Sequence, residues 1–402
     1  MQVIHQRCAG LDVHKKTVVA CVITPQGQQT RTFPTKNLLE LADWLDQQQV
    51  THVAMESTGV YWKPIYNLLE GQGLTLLVVN AQHIKAVPGR KTDVKDAEWI
   101  ADLLHHGLLQ GSYIPDRGQR ELRELVRYRR SLIQERARVV NRIQKVLEGA
   151  NIKISSVITD ITGVSGRAIL EALAQGIEDP VALAALARGR LQRKVPALAE
   201  AAHGLMGSHQ RMMLKSQLHH LEFLRGEIER LDREVAMRLK PLEGAIERID
   251  EIPGIGRRIA EEVLVEIGPD MERFPTAAHL ASWARVCPGN NESAGKRKSG
   301  ATGQGNPWLR SALVEGAWAA ARTKGNCLAA RYHRLAARRG GKRAILAVAH
   351  TILKMVYHLL RDQVRYQDLG ANYLDQRDGQ GILRRAVRRI ECLGYKVTIE
   401  VA

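Results

Sequence analysis

Over the first hundred residues the hydrophobic positions change period several times. CAGLDVHKKTVVACVI, residues 8–23, is rich in β-branched residues and stops at the turn TPQGQ; the short polar stretch QTRTFP then completes a hairpin. NLLELADWLDQQ shifts to helical spacing, THVAMES reads as a strand, YWKPIYNLLEGQG as a helix closed by Gly71 or Gly73, and LTLLVVN as a short buried strand. The order β-β-α-β-α-β predicts a mixed sheet flanked by helices, an α/β domain over 1–115.

From about Gly118 the pattern becomes that of long helices. Leu122, Leu125, Leu132, Ile133, Val140, Ile143 and Leu147 keep an apolar face through a stretch full of Arg, Gln and Glu. Leu214, Leu221, Ile228 and Val235 lie seven apart, with Leu224 and Leu231 as partners. That spacing predicts a coiled-coil seam and dimerisation, and it allows an intramolecular helical hairpin equally well. Residues 155–205 between the two segments read as short helices, which makes 116–245 a helical, coiled-coil region. A third region, 246–361, opens with EIPGIGRRIAEEVLVEIG, passes through a Gly-rich basic loop at 288–307 and reaches an apolar helix at 343–361. The remainder, 362–402, is a basic appendix whose end, GYKVTIEVA, has strand character. No apolar run approaches the roughly 18 residues of a membrane span, and MQVIHQRCAG lacks the apolar core of a signal peptide, so a soluble, cytoplasmic protein without a membrane partner is expected.

Charge narrows the function. Lys and Arg number 59 against 42 acids, and the net of +17 predicts a polyanionic partner. The excess is uneven: residues 1–110 hold 10 basic and 10 acidic residues, whereas 280–402 hold 22 and 8. The neutral first third therefore needs a role other than phosphate attraction. Cysteines 8, 21, 287, 327 and 392 form no CxxC pair, which argues against structural zinc and against a disulfide framework. Aromatic residues make up only 4%, little for stacking on single strands.

Candidate chemistry sits in that neutral third. Asp12 interrupts an apolar strand, Glu56 ends another, and Asp93 and Asp96, three apart, share one face of a helix. Carboxylates gathered together repel unless a cation neutralises them, and hard oxygen donors suit Mg²⁺ or Mn²⁺. Equally, each acid could be an ordinary surface or capping residue. Downstream, IPGIG joins two short helices, where its N–H groups with Arg257 and Arg258 could hold a phosphate or its glycines could simply pack. PGNNESAGKRKSGATGQGNPWLR, too rich in Gly, Asn and Ser for regular structure, carries Lys296, Arg297, Lys298 and Arg310, a flexible positive loop for nucleic acid.

GLDVHK, AMESTGVYW and KTDVKDAEWIA resemble the three blocks of the DEDD family of insertion-sequence transposases; IPGIG, the Pro-Gly to Ser-Ala-Gly stretch and GNPWLRSAL resemble that family's second domain. The blocks occur in order over nearly the whole chain. The resemblance implies a RuvC-like first domain with an RNase H fold, followed by a mainly α-helical coiled-coil and transposase region. It further implies divalent metal at Asp12, Glu56, Asp93 and Asp96, and a loop serine that becomes linked to DNA. By motif position that serine is Ser293, with Ser299 its competitor. The partners implied are donor and target double-stranded DNA, a structured non-coding guide (bridge) RNA and further copies of the chain, a dimer and then a tetramer in synapsis, in a bacterial cytoplasm or nucleoid. A metal-dependent nuclease or Holliday-junction resolvase, with water as the nucleophile, is the alternative.

Overall fold

The β-branched run near the N-terminus forms two strands, not one. Three consecutive polar residues, His14, Lys15 and Lys16, break it, because such side chains are costly in a sheet centre. There the His14 backbone N–H donates to the Thr17 carbonyl, and the chain reverses between β1 (Cys8–Val13) and β2 (Thr17–Thr24). β3 (Gly27–Pro34) continues the antiparallel meander, while β4 (His52–Glu56) pairs in parallel with β1 and β5 (Thr75–Val79) in parallel with β4. The sheet order is β3-β2-β1-β4-β5, one strand more than the pattern predicts. This computed structural model describes residues 2–57, 59–80, 93–288, 291–293, 296–303 and 305–400, with the backbone alone at 93–94, 291–293, 296–299 and 374. It divides into two compact units, Met1–Arg117 and Gly118–Ala402.

Helices cover both faces of the sheet in the first unit. α1 (Leu38–Gln47) and α2 (Trp62–Leu69) bury Leu41, Leu45, Ile65 and Leu69 against Leu11, Val18, Val53 and Met55. On the other face α3 (Asp93–His105) sets Ile100 and Leu104 against Cys8, Ala54 and Val79, and Ala97 and Ala101 against Val19 and Cys21. The approach is closest at Gly10, where a Cβ would stand 2.3 Å from the Ala101 nitrogen and 2.4 Å from the Ala97 oxygen.

In the second unit α4 (Arg117–Gly149) and α8 (Ser208–Leu239) run antiparallel, joined along their length by Glu121 with Arg238, Arg129 with Asp232 and Glu135 with His220. Leu214, Leu224, Ile228 and Leu231 of the heptad seam share one core with Leu132, Val139, Ile143 and Leu147 of α4. The seam is thus filled within the chain, as the hairpin alternative expects, and does not itself call for a second copy. α5 (Val164–Gln175), α6 (Pro180–Ala185) and α7 (Val195–Ala201) close this core. The other ends of α4 and α8 enter a second core with α9 (Glu243–Asp250), α10 (Arg257–Ile267), α11 (Ala277–Trp283), α12 (Pro307–Arg322), α13 (Cys327–Arg339) and α14 (Gly341–Arg361). Contrary to the expectation from apolar runs, α14 is long and apolar enough by length and composition to cross a membrane. Its Val348, Ile352, Leu353 and Val356 are buried in this core, which accounts for their apolarity. α15 (Tyr373–Arg377) and α16 (Gly379–Glu391) follow. The tail over 394–400 forms no strand, since an isolated extended segment has no ladder to join.

Charges are buried where α4 meets α10. Arg127 grips both carboxylate oxygens of Glu266 at 2.7 Å, and Asn306 donates to Glu266 at 2.5 Å. Arg129 donates to Glu261 at 2.8 Å; Arg130 bonds Glu262 and reaches Ser311 and Glu315, each at 2.9 Å. Charged side chains are almost never fully buried unless paired.

Two outcomes follow for urea unfolding. Glu266→Ala, which leaves Arg127 without its partner, is expected to cost about 3–5 kcal/mol. Gly10→Ala overpacks β1 against α3 and is expected to cost about 1–3 kcal/mol in the first unit's transition; a midpoint equal to wild type would disprove the close approach.

Candidate active site

The parallel register brings two of the expected acids together. Leu11 pairs with Met55 as the last partners of β1 and β4, and Asp12 and Glu56 stand one position further on. Side chains alternate along a strand, so both lie on the face shared by Gly10 and Ala54, the face covered by α3. Neighbouring strands are about 4.8 Å apart, which sets the two carboxylate positions side by side.

Helix α3 carries the other two expected acids. Cys8 Sγ donates to the Ala101 carbonyl, and Gly10 lies beneath Ala97 and Ala101, so α3 runs antiparallel to β1 and its first turn points toward the Asp12 end. Two strand residues advance about 6.6 Å and four helical residues about 6 Å, so the position of Asp12 along β1 corresponds to about residues 93–97 of α3. Asp93 and Asp96 precede Ala97 and Ile100 by four, on the stripe that faces the sheet. The Asp93 side chain lies outside the described residues. Asp12 is only 13% exposed and has His14 Nε2 at 2.9 Å from its Oδ2. That histidine, two residues on in GLDVHK, escaped the sequence analysis although its block was singled out.

Among the described residues, no group of three His, Cys, Asp or Glu side chains could hold a metal ion. The acids expected at Asp12, Glu56, Asp93 and Asp96 offer only hard oxygens, a chemistry that fits a divalent cation such as Mg²⁺ or Mn²⁺ better than a soft metal. The nearby thiols do not compete: burial pushes the Cys8 thiol up to about 12 and raises that of Cys21 as well. Neither is a thiolate at neutral pH, as expected of small apolar residues.

The serine segment is more regular than its composition suggests. Strands β6 (Asn291–Ser293) and β7 (Lys296–Ser299) form an antiparallel hairpin, with Ser293 opposite Lys296 and Asn291 opposite Ser299. A ladder this short needs only backbone groups, which Gly- and Ser-rich flanks do not prevent. The side chains of Ser293, Lys296, Arg297, Lys298 and Ser299 lie outside the described residues. Arg310 stands in the first turn of α12, capped by Asn306.

The IPGIG segment turns between α9 and α10. Gly254, at φ +84°, packs so tightly that a Cβ would stand 2.2 Å from the Ala320 nitrogen of α12. Both adjacent arginines have carboxylate partners: Arg257 bonds Glu243 and Glu261, and Arg258 bonds Asp232 at 2.6 Å. Packing therefore accounts for Gly254, and these guanidiniums carry less free charge than the sequence suggests.

Replacing one acid should separate metal binding from folding. In Asp12→Asn and Glu56→Gln the metal-free melting temperature is expected to change little, because each amide keeps the carboxylate's shape and one oxygen acceptor. Calorimetric Mn²⁺ affinity is expected to fall by about tenfold or more, the least that loss of even an outer-shell partner causes. Unchanged affinity in both variants would detach these acids from metal binding.

Comparison with known proteins places this chain in a family. Residues 9–152 match a family profile described as a transposase, of the IS110 DEDD type, and residues 246–333 match the transposase IS116/IS110/IS902 family. The chain is 26% identical over 283 residues to the transposase-named protein y4pF/y4sB of Sinorhizobium fredii, a match covering 69% of this chain and 63% of that protein. It is 28% identical over 255 residues to the 44.8 kDa protein of insertion element IS116 from Streptomyces clavuligerus, covering 54% and 60%. A third relative, the 43.6 kDa protein of insertion element IS110 from Streptomyces coelicolor, is 35% identical over 130 residues, 30% of this chain and 29% of its own. The first two matches span about three fifths of those relatives' length. With both family blocks present in order, the chain belongs to the IS110/IS116 family of insertion-sequence transposases.

Proposed function

We propose that the chain is a DNA recombinase that moves an insertion sequence, exchanging strands between donor and target duplexes under the direction of a structured non-coding RNA. The observation that supports it most is the register setting Asp12 beside Glu56, under the helix whose first turn carries Asp93 and Asp96. The sheet order β3-β2-β1-β4-β5, a three-stranded meander extended by two parallel strands, favours an RNase H-like, RuvC-like reading of the first domain. We assign 1–115 to that domain, 116–245 to the helical hairpin region, 246–361 to the transposase domain and 362–402 to a basic appendix.

The four acids would hold Mg²⁺ or Mn²⁺, which supplies Lewis-acid polarisation of a scissile phosphate. Ser293 is the nucleophile. Its Oγ attacks phosphorus and loses its proton to water; the P–O bond to the leaving strand breaks, and the leaving oxygen takes up a proton. The resulting phosphoserine conserves the phosphodiester energy. The hydroxyl end of the other DNA then attacks the same phosphorus, releases the serine oxygen and seals the exchanged strand. Lys296, Arg297, Lys298 and Arg310 neutralise backbone phosphates without reading bases. Base choice passes to pairing with the RNA, in keeping with a chain whose aromatic content is 4%. Assembly into a dimer and a synaptic tetramer would use surfaces other than the heptad seam, which α4 already fills.

A nicked substrate that traps the intermediate tests the serine. Ser293→Ala is expected to bind DNA and RNA and form no covalent adduct, since removing one hydroxyl from a short hairpin costs little stability. Ser299→Ala is expected to keep forming the adduct, read as a slower protein band in a denaturing gel. An adduct in both single variants and in the double variant would exclude serine attack here and favour the water-using nuclease.

A further inference from the structure

In the C-terminal third two hollows meet along α13. One, of about 530 Å³, is bordered by Trp318 of α12 and Tyr332 and His333 of α13, with alanines on its floor and the exposed Arg322 and Lys324 at its rim. The Trp318 and Tyr332 rings stand 5.6 Å apart, and those of Tyr332 and His333 stand 5.3 Å apart. Its volume lies in the range of small-ligand pockets, enough for one planar group. The second hollow, an open cleft of about 1160 Å³, runs between α13 and the two C-terminal helices. Ala330 and Ala371 line both hollows, so they are continuous.

The cleft differs in charge from the surfaces of α8 and α10. Along those helices most arginines are matched by acids: Arg225 by Glu229, Arg230 by Glu227, Arg238 by Glu234, Arg257 by Glu243. In the cleft Arg334 of α13 pairs with Asp375 of α15 at 3.3 Å and with Asp378 at 3.8 Å, which ties the start of the C-terminal helices to α13, while Asp378 also pairs with Arg385 of α16 at 2.5 Å. Arg331, Arg338 and Arg377 have no carboxylate partner among the described residues. Burial first, and then the charges of Lys354 and Arg331, hold the His350 imidazole below its ordinary range.

We propose that this double hollow binds a single-stranded stretch of nucleic acid, with consecutive phosphates on Arg331, Arg338 and Arg377 and an unstacked base in the recess against Trp318, Tyr332 and His333. A duplex keeps its bases stacked inside and can offer the recess nothing, whereas a single strand presents a π-face and a flexible phosphate chain together. The inference rests on the nucleic-acid reading above and adds the strandedness of the ligand and its seat.

The test uses the full chain and fluorescence anisotropy with labelled oligothymidine, oligouridine and a duplex of equal length, each over a range of salt. Arg338 and Arg377 are exposed, so Arg338→Gln with Arg377→Gln should leave the melting temperature unchanged. The double variant is expected to bind the single strands about tenfold or more weakly, with a salt slope smaller by about 1.4, that is about 0.7 for each phosphate no longer neutralised. Duplex affinity is expected to stay within about twofold of wild type. An abasic run in the oligothymidine is expected to weaken wild-type binding about fivefold or more, the equivalent of one stacked base. The stronger of the two wild-type single-strand affinities names the DNA or RNA source. Equal affinity and slope in the double variant would overturn the cleft while leaving the nucleic-acid reading standing. Equal losses for duplex and single strands would overturn the single-strand assignment, and a wild-type chain that binds none of the probes would sink both readings.

Discussion

The contact between α3 and β1 at Gly10 is the constraint on which the placement of the four proposed acids depends. A helix can lie this close to a strand only where no Cβ intervenes, and a side chain here would collide with backbone atoms that cannot swing aside. Once that crossing is set, the different rises of strand and helix place Asp12 level with the first turn of α3. Parallel pairing then places Glu56 beside Asp12 without any further contact. The acids are therefore held by two strands and a helix, elements that position side chains more tightly than loops do. Apolar contacts on the same surface, Ile100 and Leu104 against Cys8, Ala54 and Val79, hold the helix on the strands.

In the second unit the corresponding role falls to charge. Arg127, Arg129 and Arg130 of α4 meet Glu266, Glu261 and Glu262 of α10 at a largely buried contact. Buried pairs of this kind add little net stability over apolar residues of the same shape, but sliding one helix past the other would leave several charges unpaired at once. The register of α4 against α10 is thereby defined, and with it the placement of Asn306, whose side chain bonds Glu266 and caps α12 just after the serine hairpin. Substituting Arg130 thus acts on Ser311 and Glu315 of α12 as well as on its partner in α10.

Much of this was legible in the chain, and what was not shares a cause. Period and turn residues marked the helices and strands of the first unit, because each is decided by local pattern; the extra reversal at His14 was visible as three polar residues but was outweighed by the β-branched run around it. Asp12 and Glu56 stood out as acids at strand positions, yet their adjacency depends on parallel pairing across some forty residues, which no local pattern encodes. Nothing local marked the α4 arginines as buried and paired, because their partners lie about 130 residues away. The heptads of α8 predicted a seam correctly and left open what fills it, since a helix of the same chain and a helix of a second copy present the same leucines. GYKVTIE carries strand residues with no neighbour to pair with, and propensity alone does not make a ladder.

Charge allocation explains why the basic third carries so much of the net charge. Up to about residue 279 nearly every cation has an acid within the same unit to meet it in number, and helices α4, α8 and α10 use such pairs to hold their own packing. Beyond that point 22 basic residues face 8 acids, so pairing must fail somewhere on the surface. One place where it fails is the cleft: Asp375 and Asp378 are engaged by Arg334 and Arg385, and Arg331, Arg338 and Arg377 beside them have no carboxylate partner among the described residues. A surface built like this attracts phosphates through counterion release whatever their sequence. On the proposed reading, grip and chemistry are divided between parts of the chain with opposite electrostatic requirements, since acids that hold a cation need a neutral setting, and a phosphate-binding surface needs cations that no carboxylate has already claimed.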